Sequence, residues 1–174
     1  RMYGSERFLL VNLFAFSDNS GLGNLVFELM GSIALARKLK RTLIVEKTAY
    51  EKMQQKYGEL SNIMTETSWN ISNEVISFSK VFDYNYFHCC RYNTAVDRLD
   101  DYSDPVISVK AKYLQSFKYF RNLNLSEIRW LLGVDDNLRS IARDKLIDPA
   151  KLAKFDHKLC VHSRRGDFLH SYEQ

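Results

Sequence analysis

No apolar run in this 174-residue chain is long enough to cross a bilayer. The most apolar stretch, residues 8–16 (FLLVNLFAF), is followed by no small-residue cleavage pattern, so it does not read as a signal peptide either. If the parent protein is membrane-anchored, the anchor is expected outside this chain. Cysteine is scarce: Cys89, Cys90 and Cys160 are the whole complement. Adjacent cysteines seldom pair with each other, and none of the three has metal-ligand spacing, so neither a disulfide framework nor a zinc site is read here. Cys160 reads as a buried free thiol inside a strand, and the redox compartment stays open. Internal repeats, heptads and low-complexity tracts are missing. No basic stripe interleaves with exposed aromatics, which argues against nucleic-acid binding. The sequons at Asn70 and Asn124 decide nothing, because chance alone supplies about one.

What is present is a globular composition, 45% hydrophobic and 13% aromatic, with a net charge of +4 and a pI near 8.9. That bias suits an anionic ligand without implying one. Residues 8–16 read as a buried strand, followed by a turn ending in Gly21-Leu22-Gly23-Asn24. A helix over 25–40 carries an apolar stripe of Leu25, Leu29 and Ile33 with Val26, Met30 and Ala34. Arg37, Lys38 and Lys40 complement the dipole at its end and need no further role. Residues 42–46 form the next strand, which should lie parallel to residues 8–14. Strand, glycine turn, helix, strand opens a doubly wound α/β fold. The dinucleotide fingerprint is incomplete, since Val26 holds its third glycine position. No glycine-lysine pair makes a P-loop. The loop still offers backbone N–H groups at a helix start.

Further on, residues 48–57 read as a helix and 75–87 as one or two strands. The charged stretch 92–105 reads as an exposed loop, and 106–109 as a strand. In the aromatic segment Tyr113–Phe120, Phe117 and Phe120 are expected in the core. Ser126 is the expected cap of a helix bearing Ile128, Leu131 and Leu132 that stops at Gly133. Asp135 should cap the next, with Leu138, Ile141, Ala142 and Leu146 as its buried stripe. Asp148-Pro149 starts a short helix to about Lys154. A fresh strand near residue 158 then places a domain boundary near 155.

That last strand, Lys158 to Arg164, alternates with period two, so His162 and Arg164 share a face while Arg165 points away or into the turn at Gly166. Two guanidiniums and an imidazole at the carboxyl end of a strand suit a phosphorylated ligand. The plainer reading is a strand edge blunted by basic residues.

Three stretches together resemble the α-1,2-fucosyltransferase family. Gly21-Leu22-Gly23-Asn24 resembles its GLGNQ-type loop, Tyr113–Phe120 its YxQSxKYF segment, and His162–Asp167 its HxRRGD motif. Their order and spacing agree with the family over most of residues 8–170. The resemblance implies a GT-B architecture. Residues 1–155 would be an N-terminal Rossmann-like, acceptor-side domain, and 156–174 the first strand of a truncated donor domain. It implies GDP-fucose as donor, a terminal galactoside as acceptor, transfer to the 2-hydroxyl with inversion, and no metal or other cofactor. Donor binding would fall to His162, Arg164 and Arg165, with Gly21, Gly23 and Asn24 closing over the sugar end. A Golgi-lumenal type II membrane parent is implied as well. Leu25 replaces the family's glutamine. No catalytic base is named: Glu28 and Asp167 are candidates by position only. The alternatives are a protein O- or α-1,6-fucosyltransferase of the same fold, or an inactive carbohydrate-binding relative. An adhesion role for Arg165-Gly166-Asp167 is disfavoured, because the tripeptide sits inside a longer basic motif.

Overall fold

The computed structural model describes residues 6–13, 21–57, 62, 66, 80–83, 91–111, 113–133, 136–146 and 154. It divides into two compact units, residues 1–135 and 136–174. The boundary expected near 155 and the helix expected from Asp148-Pro149 lie outside the described residues.

The first unit is built on a four-stranded, all-parallel sheet in the order β2-β1-β4-β3. Its strands are β1 (Phe8–Leu13), β2 (Thr42–Ile44), β3 (Lys80–Asp83) and β4 (Val106–Ala111). As expected, helix α1 (Leu22–Lys38) connects β1 to a parallel β2, with Phe8 opposite Thr42 and Leu10 opposite Ile44. Helix α2 (Lys47–Tyr57) follows β2 and buries Met53. Period two splits the strands between two cores. Leu9, Val11, Leu43, Ile107 and Val109 join the inner face of α1, whereas Phe8, Leu10, Ile44 and Val106 pack on the opposite side. Strands buried on both faces read as continuous apolar runs, which is how β1 appears in the sequence, whereas β4 buries the polar Ser108. The helix stripe is buried as expected, from Leu25 through Leu29 and Ile33.

Lys40 ends α1 in the left-handed conformation, with φ of 52°. Its N–H donates to the Arg37 carbonyl at 3.1 Å and the Arg41 N–H to the Ala36 carbonyl at 2.9 Å, a Schellman closure. The turn sends the Arg41 guanidinium into the unit. There Nη2 donates to the Tyr102 carbonyl at 2.8 Å and Nη1 to the Asp104 carbonyl at 2.7 Å. Burial lowers its pKa, Arg7 lowers it further and Asp104 opposes, yet a guanidinium stays charged at any ordinary pH. Arg41 thereby ties the helix exit to the loop entering β4.

Four expectations need correction. Residues 92–105 are not simply an exposed loop: Thr94–Asp101 is a 3₁₀ helix started by Asn93, whose side chain accepts from the Ala95 N–H at 2.7 Å. Val96 and Leu99, three apart, share one face at this pitch and are buried, while the charged side chains lie off that face. Phe117 is 67% exposed. Tyr119 is buried in its place because its hydroxyl finds partners, accepting from the Asn93 N–H at 3.0 Å and donating to the Arg91 carbonyl at 3.2 Å. Phe120 is half-buried, edge-on to Phe27. Helix α3 (Leu125–Leu131) is capped by Asn124 rather than Ser126. A full capping box forms with Glu127, at 2.9 Å in one direction and 2.8 Å in the other.

In the second unit, helix α4 (Asp136–Leu146) forms where expected. Its stripe is not fully buried, for Ile141 is 40% exposed while Leu138 and Ala142 are half-buried. Asp135, its expected cap, lies outside the described residues. Among those residues no helix is long and apolar enough to cross a membrane.

Two substitutions on α1 should shift stability in opposite directions, measured by chemical denaturation. Lys40→Gly relieves a left-handed non-glycine residue and should stabilise by about 0.5–1 kcal/mol. Gly31→Ala places a methyl 3.0 Å from Leu114 Cβ. It should destabilise by about 1–2 kcal/mol, overpacking outweighing the gain in helix propensity.

Candidate functional site

Ligands of parallel α/β sheets bind beyond the carboxyl ends of the strands. Strands β1 and β4 are neighbours and end level, with Leu13 opposite Ala111. Described residues after each of them meet at the start of α1, and they belong to two of the three motifs singled out in the sequence.

Gly21 precedes the helix with φ −69° and ψ 164°, and it has no side chain to cap the first turn. Gly23 is the second residue of the helix. Neither glycine has a positive φ, and a Cβ at either position would meet nothing within 4 Å. Backbone freedom therefore does not explain them. Their effect, among the described residues, is to leave the Leu22 and Gly23 N–H groups without a side-chain cap or a nearby Cβ, where an anionic or polar ligand can approach the backbone.

Asn24 follows in the same turn. Its side-chain oxygen accepts a hydrogen bond from Nε2 of Gln115, so the glycine loop and the Tyr113–Phe120 segment are joined directly. Gln115 reaches it by an unusual route. Tyr113 and Leu114 both occupy the left-handed region, at φ of 62° and 45°. Two consecutive non-glycine residues there cost of order 1–3 kcal/mol each and persist only where surroundings hold them. Three contacts do so here. The Tyr113 N–H donates to Glu28 Oε1 at 3.4 Å, Leu114 seats against Gly31, and the Ser116 N–H donates to the Leu114 carbonyl at 2.8 Å. Strain of this kind clusters at ligand sites.

Glu28 is 0% exposed. A carboxylate without surface cannot reach an acceptor hydroxyl, so its place is to hold the strained turn. Leu25, where the resembled loop has glutamine, is buried in the core. Gln115 and the Tyr113–Leu114 turn were missed as site features by residue-level reasoning. Only the motif resemblance pointed to that segment. His162, Arg164, Arg165 and Asp167 lie outside the described residues.

Comparison with known proteins adds a second line. A galactoside 2-alpha-L-fucosyltransferase of Caenorhabditis elegans is 29% identical over 165 residues, covering 94% of this chain and 40% of its own length. Another protein of that name from the same organism is 27% identical over 170 residues, covering 97% of the chain and 46% of itself. The chain is a relative of the galactoside 2-alpha-L-fucosyltransferases. A third C. elegans protein, a putative galactoside 2-alpha-L-fucosyltransferase named svh-11, agrees at 28% over 171 residues, covering 95% of the chain and 43% of itself. This chain thus spans less than half the length of each of these relatives. No family model and no solved structure matches it.

The link between the motifs is testable by a double-mutant cycle on Asn24→Ala and Gln115→Ala. Their combined cost in denaturation should fall short of the sum by about 1 kcal/mol, the worth of one hydrogen bond. Strict additivity would mean that the two side chains do not interact.

Proposed function

We propose that this chain is the acceptor-side part of a GT-B glycosyltransferase that moves fucose from GDP-fucose to the 2-hydroxyl of a terminal galactoside with inversion. The observation that carries the reading is the direct joining of the glycine loop to the Tyr113–Phe120 segment through Asn24 and Gln115, in a chain related to proteins of that name. In this reading residues 1–155 form the Rossmann-like acceptor-side domain and 156–174 begin the donor domain. The parent works in the Golgi lumen as a type II membrane protein.

The chemistry follows from the charge that develops on leaving GDP. Arg164, with His162 on the same strand face, grips the diphosphate through a planar fork of donors, and Arg165 supports it. Preplaced guanidinium charge stabilises the departing diphosphate without a metal. The uncovered N–H groups at Gly21–Gly23 and the clamped Asn24 side chain receive the sugar end of the donor. The general base is not assigned. It must come from a carboxylate or equivalent with access to the acceptor hydroxyl, a requirement Glu28 fails.

Three variants of the longer protein test the reading. Arg164→Lys keeps the charge and loses the fork, so GDP affinity by calorimetry should fall roughly ten- to hundred-fold. Arg165→Lys should be milder. Gly23→Ala should raise stability by up to about 1 kcal/mol, while lowering fucose transfer from GDP-fucose to a galactoside. Unchanged GDP affinity in Arg164→Lys, or full transfer by Gly23→Ala, would contradict it.

A further inference from the structure

The same segment that carries Gln115 continues along α1 to a second concavity near that helix's other end. This cleft, about 230 Å³, lies between Leu35 and Lys38 of α1, the Tyr92–Asp97 region and residues 118–122. It shares no residue with the Asn24 site. Buried Leu35 and Val96 form its floor, and the polar lining is unbalanced in charge. Lys38 donates to Asp97 Oδ1 at 2.6 Å, so those two charges cancel. Lys118 and Arg121 form no salt bridge among the described residues, and Arg121 acts on Asp97 only at longer range, helping Lys38 hold that carboxyl below the usual range, so the described lining carries an excess of positive charge. Arg121 is held in place over the Tyr92 ring, 5.8 Å from its centroid.

The carboxylate is as informative as the cations. The Tyr92 hydroxyl also donates to Asp97 Oδ1, at 2.8 Å, so both bonds fall on one oxygen. Oδ2 keeps its acceptor capacity among the described residues. Burial and the bond to Asp97 push the Tyr92 phenol up to about 12, so it stays protonated as the donor that orients this carboxylate. A simple inorganic anion could use the cations but would be repelled by Oδ2. A ligand with an anionic group for Lys118 and Arg121 and hydroxyl donors for Asp97 would use both kinds of polar group. Drug-sized ligands occupy roughly 300–1,000 Å³, so a smaller cleft takes a single residue rather than an extended chain.

We propose that this cleft binds one acidic sugar unit, a carboxylate- or sulfate-bearing monosaccharide, at a site separate from the Asn24–Gln115 site. For a protein related to glycan-modifying enzymes, such a site would select glycans carrying an acidic unit. The binding claim itself stands on the cleft and not on the transferase reading.

The test is calorimetric titration of the full chain with glucuronate, galactose, sodium sulfate and a glutamate-containing tripeptide at constant ionic strength. Glucuronate should bind with a Kd of about 1 mM, and each of the other three at least about ten-fold more weakly. Arg121→Gln should weaken glucuronate about ten-fold or more. Lys118→Gln should do the same if the first variant melts early. Asp97→Asn should weaken glucuronate while strengthening sulfate, because it removes the hydroxyl acceptor and frees Lys38. No glucuronate binding, equal binding of any comparator, or indifference to both cation variants would overturn the proposal. So would parallel changes for glucuronate and sulfate in Asp97→Asn. Transfer activity with GDP-fucose, assayed separately, reports on the other site, so either reading can fail alone.

Discussion

Much of the first unit depends on how closely residues 113–123 lie against α1. Gly31 makes that approach possible, since any side chain there would press on Leu114. Around this contact the segment follows the helix from its start toward its end. Gln115 reaches Asn24, Tyr113 is tied to Glu28, Phe120 packs on Phe27, and Asn122 donates to the Ala34 carbonyl at 3.0 Å. Buried Glu28 and the left-handed pair at Tyr113–Leu114 are then two sides of one arrangement. The carboxylate accepts a hydrogen bond from an N–H of the strained backbone.

This arrangement gives two motifs far apart in sequence a common physical meaning. Among the described residues the glycine loop contributes backbone N–H groups with no side-chain cap, and the Tyr113–Phe120 segment contributes the amide that holds Asn24 beside them. Further along, Tyr119, Lys118 and Arg121 of the same stretch line a separate cleft, so one strap of chain shapes both ends of one helix.

The sequence made the α/β class, the β1–α1–β2 unit and the buried stripe of α1 readable, because strand alternation and helical spacing are local signals. It misled where a local signal had two readings. Ser126 and Asn124 are both good caps, and only the partner at Glu127 chooses between them. The charges of 92–105 concealed Val96 and Leu99, whose three-residue spacing was the available clue to a 3₁₀ face. Phe117 lost its core place to Tyr119, since tertiary hydrogen bonds to Asn93 and Arg91 rewarded the tyrosine. Least legible was the Tyr113–Leu114 turn. Nothing in those two residue types favours positive φ, so the conformation depends on its surroundings, Glu28 and Gly31 among them, more than eighty residues away. Arg41 is similar, its role visible only once the strand-entry carbonyls surround it.

Hydrogen exchange at the Tyr113 amide tests the central arrangement most directly. If Glu28 holds the turn, this N–H is protected in the native chain. Replacing the carboxylate by Glu28→Ala should release it to near the free-peptide rate and shift the Gln115 side-chain amide resonances, while β1 and β4 amides stay protected. A Tyr113 amide that already exchanges freely in the native chain, with the sheet intact, would contradict the account.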